Sequence, residues 1–355
     1  MAPAATIRGA QPISIHRRRQ PANYSKMNAL AAKPQTPREP EPARPADARL
    51  VQIDEAHAGQ RLDNYLIGQL KGVPKSHVYR IVRSGEVRVN RGRAGPERRL
   101  DAGDLVRIPP VRLAVREPPE PVPAHEFPVL LEDEALLAID KPAGVAVHGG
   151  SGVEFGVIEQ LRAARPRAQL LELVHRIDRE TSGVLLVAKK RSALVAMHEA
   201  MRAGTVRKRY RAIAVGAWED GARALRFPLH KFHTPEGERR VVVRDDGQWA
   251  GTRVRPLATL EHPQLGPFTL LEAELETGRT HQIRVHLAHV GHPLAGDEKY
   301  GRFDLNRLLQ KHRFRRMYLH AFQVAFRHPS EARTVRIEAP LPPEFERFVL
   351  ACRCS

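Results

Sequence analysis

The chain has 355 residues, of which 42% are hydrophobic and 5% aromatic. That is material for roughly two cored domains plus tails, with too few rings for extensive base-stacking platforms. Lys and Arg number 58 against 40 Asp and Glu, a net charge of +18. Such a field attracts polyanions, and nucleic acid is favoured because phosphate neutralisation releases counterions. A basic membrane-surface protein would need an amphipathic basic helix or a lipidation signal, and neither is found; no apolar run approaches the roughly 20 residues of a membrane span. Cys352 and Cys354 are the two cysteines. They make no disulfide framework, which fits a reducing cytoplasm, and the tail that carries them reads as a frayed terminus.

Residues 1–48 are rich in Ala, Pro, Arg and Gln, with the run His16-Arg17-Arg18-Arg19, and read as a disordered basic arm. An organelle transit peptide is a second reading, and Met27 an alternative start. Residues 49–110 form a small module. Leu62, Leu66 and Leu70 recur at helical spacing, and a second helix, Ser76 to Ser84, sets Val78, Ile81 and Val82 among Lys75, Arg80 and Arg83. Gly85 to Asn90 and Asp104 to Ile108 then read as short strands, so the module is two basic helices followed by a hairpin. A Pro-rich linker occupies residues 111–128. From 129 to 355 strands (Leu136–Ile139, Gly183–Ala188, Tyr210–Val215, Phe268–Leu275) mix with helices (Val157–Ala164, Ala193–Ala203, His281–His289). The spacing has no steady βαβ rhythm, so the expectation is an α+β domain on a mainly antiparallel or mixed sheet.

Three segments in this region carry polar residues across apolar elements. Lys141-Pro142-Ala143-Gly144 opens a loop that continues through His148 to Gly152; it is either a structural turn or a backbone cradle for phosphate. His175-Arg176-Ile177-Asp178-Arg179 places a carboxylate between two arginines, which should hold it ionised for work as a nucleophile or base. The competing reading is a turn made with Thr181 and Ser182. The third segment, Glu276 to Leu294, contains His281, His286, His289 and His292. Their spacing does not match HExxH, and no carboxylate pair completes a tetrahedral site, so no metal is expected.

Taken in order, these segments resemble the RluA family of pseudouridine synthases. Its His-Arg-Leu-Asp signature stands here as His175-Arg176-Ile177-Asp178, followed by Thr181-Ser182-Gly183; Ile for Leu preserves volume. Arg207-Lys208-Arg209-Tyr210 matches the tyrosine motif, and Gly278 to Arg284 the third motif. Residues 148–152 and 189–194 are similar to the C-type subgroup of the large-subunit enzymes. The module at 49–110 resembles the RNA-binding module of the ribosomal protein S-four type, with its Arg61-Leu62-Asp63 opening and Gly85-Glu86-Val87-Arg88-Val89-Asn90 strand.

The resemblance implies a pseudouridine synthase fold behind that small α/β module, and an isomerase acting on uridines of 23S ribosomal RNA. It implies Asp178 as the catalytic carboxylate, paired with Arg284, while Ile283 packs against the uracil and Tyr210 stacks on the base. His175 supports the site, and Arg176 helps displace the target and fill its gap. Arg61, Lys75, Ser76, Arg80, Arg83, Lys141 and His148 are the expected RNA contacts. No cofactor, membrane or protein partner is implied, and a cytoplasmic monomer is expected. Rival readings are a synthase for another ribosomal or transfer RNA position, a ribosome-assembly factor without catalysis, and a metallohydrolase built on the third-segment histidines.

Overall fold

The computed structural model describes residues 48–70, 72–111, 121–150, 153–235 and 237–354. The basic arm up to residue 47, linker residues 112–120, and Ser151 and Gly152 of the Gly-rich loop lie outside them.

The N-terminal module is β1 (Arg49–Gln52), α1 (Leu62–Gln69), α2 (Lys75–Arg83), β2 (Arg88–Val89) and β3 (Leu105–Ile108). Its antiparallel sheet has the order β1-β3-β2, and β1 is a strand that hydrophobic patterning did not show. Leu62, Leu66, Val78, Ile81 and Val82 close a core under this sheet, as their helical spacing requires. The opposite face of α2 leaves Lys75, Ser76, Arg80 and Arg83 exposed. Arg61 is committed elsewhere: its guanidinium donates to buried Asp63 at 2.7 Å, and the Tyr79 hydroxyl joins it at 3.2 Å.

The larger part continues with β4 (Val129–Glu132), β5 (Leu136–Lys141), α3 (Val157–Ala164), β6 (Glu172–Leu173), β7 (Ser182–Ala188), α4 (Arg191–Arg202) and β8 (Arg207–Val215). Next come β9 (Arg223–Arg226), β10 (Leu229–His233), β11 (Arg239–Val243), β12 (Gly251–His262), β13 (Gly266–Leu275), α5 (Gln282–His289) and α6 (Phe303–Lys311). It ends with β14 (Leu319–Arg327), β15 (Thr334–Glu338), α7 (Pro343–Ala351) and β16 (Arg353–Cys354). Eleven strands form one sheet along the path β16-β12-β13-β8-β14-β7-β5-β4, with β15, β6 and β9 paired at its side, while β10 and β11 make a separate hairpin. Pairing is antiparallel throughout the described ladders except between β14 and β7. The fold is therefore α+β on a mainly antiparallel mixed sheet.

β7 is buried along its whole length, with apolar side chains feeding cores on both faces. No helix among the described residues is long and apolar enough to cross a membrane. The C-terminal tail corrects the frayed-end expectation. Cys352 is buried in the aromatic cluster around Phe268 and Phe348, and β16 pairs with β12 at Leu260 and Glu261. A two-residue strand carries no periodicity to read; its edge position is what holds it.

Gly183 sits where the parallel ladder crosses. Its φ is +109°, and a Cβ there would lie 2.2 Å from the Ala321 carbonyl oxygen. Both the backbone conformation and the close approach demand glycine. Gly183→Ala is expected to separate β7 from β14 and to cost more than about 3 kcal/mol, as strain and overpacking combine, measured by chemical unfolding.

Candidate active site

Asp178 lies on the loop between β6 and β7. The loop is tied down on both sides: the Thr181 N–H donates to the Asp178 carbonyl at 3.1 Å, and the Gly144 N–H to the Arg179 carbonyl at 2.9 Å. Lys141, from the end of β5, adds a third tie. Its Nζ donates to the carbonyls of Pro142 and Val145 at 2.7 Å each and of Arg179 at 3.0 Å. The Lys-Pro-Ala-Gly turn thus holds the backbone of the carboxylate loop.

A cavity of about 530 Å³ opens above this loop, lined among others by His175, Asp178, Tyr210, His281, Ile283 and Arg284. Tyr210 comes from β8 and Ile283 from α5, both nearly buried in the core that also takes Ile177. Burial, and after it the Asp178 charge, pushes the Tyr210 phenol well above its usual range, so it stays protonated. His175 is held neutral, pushed down to about 3 by burial and then by Lys208. Its Nε2 accepts the Leu186 N–H at 3.2 Å, which pins the start of the loop to β7.

Arg284 supplies the charge opposite Asp178. Its Nη1 donates to Asp178 Oδ2 at 3.1 Å, while Nε and Nη2 grip Asp297 Oδ2 and Oδ1 at 2.8 Å each. Burial opposes the guanidinium charge, but the bonds and charge of Asp297, followed by those of Asp178, outweigh it and raise its pKa. Asp297 is itself buried and accepts the N–H groups of Lys299 and Tyr300 at 2.8 and 3.0 Å. The flanking arginines do not do this work. Arg176 is exposed, and Arg179 pairs with Glu180 at 2.7 Å.

His281, immediately before α5, has φ +54°, a left-handed conformation uncommon for a residue with a side chain. Its Nδ1 lies 2.8 Å from the Tyr300 hydroxyl and its Nε2 4.0 Å from Asp178 Oδ1. Burial pushes this imidazole down to about 4, against the Asp178 charge. Asp297 and Tyr300 were not singled out from sequence; the signal was the Gly296-Asp297-Glu298-Lys299-Tyr300-Gly301 run directly after the histidine segment.

An RNA pseudouridylate synthase family model matches residues 135–289, and an S4 domain model matches residues 60–106. Ribosomal large subunit pseudouridine synthase C of Yersinia pestis is 50% identical over 311 residues, covering 86% of this chain and 96% of that protein. The Escherichia coli protein of the same name is 48% identical, over 86% and 97%. The chain belongs to the RNA pseudouridine synthase family. Among solved structures, human RNA Pseudouridylate Synthase Domain Containing 4 aligns with a TM-score of 0.52 at 26% identity, over 64% of this chain and 94% of that one. Human RNA Pseudouridylate Synthase Domain Containing 1 shares the fold at a TM-score of 0.54, 23% identity, 66% of this chain and 91% of that one.

Of the residues singled out from sequence, Asp178, Tyr210, Ile283, Arg284, His175 and Arg176 line this one cavity. The third-segment histidines do not converge on a common point. His286 is held between Thr252 Oγ1 and the Phe227 carbonyl, at 3.0 Å each, and His292 meets the Val215 carbonyl at 3.0 Å. The described donor cluster with metal-like spacing is Asp133, His328 and Glu331, outside the cavity. There Asp133 is occupied in capping the Ala135 and Leu136 N–H groups and bonding His328.

Lys141 is the expectation that fails. It is fully buried, with three carbonyl acceptors for its three N–H donors, and cannot reach a phosphate. His148 remains exposed. Lys141→Met should therefore lower unfolding stability by about 2–4 kcal/mol, since carbonyls lose their donor in a buried site. The fraction that folds should bind RNA within about twofold of wild type; a phosphate-binding lysine would show the reverse pattern in denaturant titration and RNA-binding assays.

Proposed function

We propose that this chain isomerises specific uridines of 23S ribosomal RNA to pseudouridine, with Asp178 as the catalytic carboxylate. The observation that carries the reading is the Asp178–Arg284 pair facing a cavity beside Tyr210 and Ile283, in a chain half identical to enzymes named for the large ribosomal subunit.

The N-glycosidic bond of uridine breaks, the uracil rotates, and carbon five joins the anomeric carbon of ribose. A proton leaves carbon five and N1 ends protonated, so no net proton is consumed. Asp178 either attacks the anomeric carbon or removes a sugar proton to give a glycal. Both routes use its carboxylate as an anion, which Arg284 balances through Oδ2 while Oδ1 stays open to the cavity. Tyr210 stacks on the uracil. Its hydroxyl enters proton removal at carbon five only once the Asp178 charge has been spent, because that charge opposes phenolate formation. Ile283 closes the other wall.

The target must leave its helix, at a cost of a few kcal/mol. Arg176, exposed at the cavity mouth, is placed to occupy the gap, and phosphate contacts from Lys75, Ser76, Arg80 and Arg83 on α2, with His148, offset the cost. Arg61 contributes through the shape of the module, given its bond to Asp63. The likeness to C-type enzymes and the S4-type module favour a ribosomal target over a transfer RNA one. A monomer working in the cytoplasm on the maturing large subunit fits this reading.

Pseudouridine mapping in ribosomal RNA from a strain lacking the gene is expected to show lost sites that wild type restores and Asp178→Asn does not. Restoration by the Asn variant would overturn the assignment, and an unchanged map would redirect it to transfer RNA or to an assembly role. In single-turnover assays Tyr210→Phe should keep RNA affinity and slow conversion about 10²–10⁴-fold, the usual range for a lost proton-transfer group, whereas Tyr210→Leu should also weaken binding.

A further inference from the structure

Asp178 presents its two oxygens unequally. Oδ2 is taken by Arg284, and Oδ1 faces His281 Nε2 across 4.0 Å. That separation is too long for a hydrogen bond but suited to an inserted oxygen. An oxygen at about 2.8 Å from both atoms subtends an angle of about 90°, within reach of a hydroxyl that accepts from one and donates to the other.

The imidazole is set up as the donor of such a pair. The Tyr300 hydroxyl accepts the Val241 N–H at 3.0 Å and lies 2.8 Å from His281 Nδ1. With the Val241 N–H supplying its oxygen, the Tyr300 hydroxyl has its own proton available for Nδ1, and in that arrangement the neutral ring carries its proton on Nε2. Tyr300 is fixed in turn: its backbone N–H is held by Asp297, and its ring lies under the Arg284 guanidinium at 5.1 Å. Burial keeps His281 uncharged, so it donates without adding a second cation against Asp178. His281 lines the cavity from the position just before α5, where its backbone is left-handed.

Resting on the function proposed above, we infer that His281 is a further substrate-binding residue of the site, donating Nε2–H to the ribose 2′-hydroxyl of the flipped uridine, with Tyr300 as its positioning residue. That hydroxyl donates in turn to Asp178 Oδ1. Either route at Asp178 brings the first two ribose carbons to Oδ1, and the 2′-oxygen is the adjoining sugar atom able both to accept and to donate. Bridged in this way, it fixes the sugar face against the carboxylate and makes the site select ribose.

The test uses the full chain and paired RNA oligonucleotides around a uridine that wild type is first shown to convert, differing only in a 2′-hydroxyl or 2′-hydrogen at that nucleotide. The readout is the ribo/deoxy ratio of kcat/KM or, where deoxy turnover is below detection, of the dissociation constants. Wild type should prefer ribose tenfold or more, and His281→Ala should bring the ratio close to one. His281→Gln, whose amide nitrogen reaches the Nε2 position, should restore most of the preference, while His281→Asn should not. Tyr300→Phe should give an intermediate ratio and move the imidazole nitrogen-15 signals away from the Nε2–H tautomer. A His281→Ala variant that slows both substrates equally, or neither, overturns the inference while conversion by wild type leaves the function standing. Failure of wild type to convert any uridine would instead strike the function itself.

Discussion

Everything in the site depends on a guanidinium shared between two carboxylates. Arg284 offers one edge to Asp297 through paired bonds and keeps Nη1 for Asp178. Taking such a cation out of water is expensive unless its partners are well placed. Asp297, itself held by two backbone N–H groups, offsets the larger share of that cost and leaves Asp178 the smaller, directional one. The division matters chemically. A carboxylate that alone neutralised a buried arginine would be a poor base, whereas here the second acid carries most of the pairing.

The other supports are backbone ties. Lys141 and Gly144 both reach the Arg179 carbonyl, and His175 reaches the backbone of β7. Gly183 lets β7 run close against β14. Residues that look reactive by type are thus divided between two tasks. Lys141 and His175 hold the loop through backbone groups, while Asp178, Tyr210, His281 and Arg284 face the cavity.

Much of this was legible in the amino-acid order. The helix at Val157–Ala164 and the buried strand after Ser182 follow from periodicity and apolar content; the second and third polar segments meet around one cavity, while the first lies behind it and ties the loop through Lys141 and Gly144. What escaped has physical reasons. Lys141 reads as a surface cation because its acceptor on Arg179 is distant in sequence and close only after folding. The arginines beside Asp178 look like its counter-ions, but a residue and its immediate neighbours point in different directions from an extended loop. β12 carries an alternating pattern, with Thr252 and Val254 inward and Arg253 and Arg255 outward, yet its charged face paired to Glu272, Glu274 and Glu276 across the sheet masks the strand. Asp297 sits in a glycine-bounded polar run that reads as an ordinary turn, and its role shows only once Arg284 turns toward it.

The separation of Asp178 from Arg284, 106 positions along the chain, ties competence to the end of folding. Contacts between distant parts of a chain form late, since the intervening loop must be ordered before they reward it. A polypeptide that has assembled only β4 to β7 holds its carboxylate without a counter-ion and without the wall supplied by α5. Emerging from synthesis, such an intermediate already carries the residue needed for bond breaking but none of the means to use it. Isomerisation therefore begins only when the distant halves have docked, and an immature chain among ribosomal RNA stays inert.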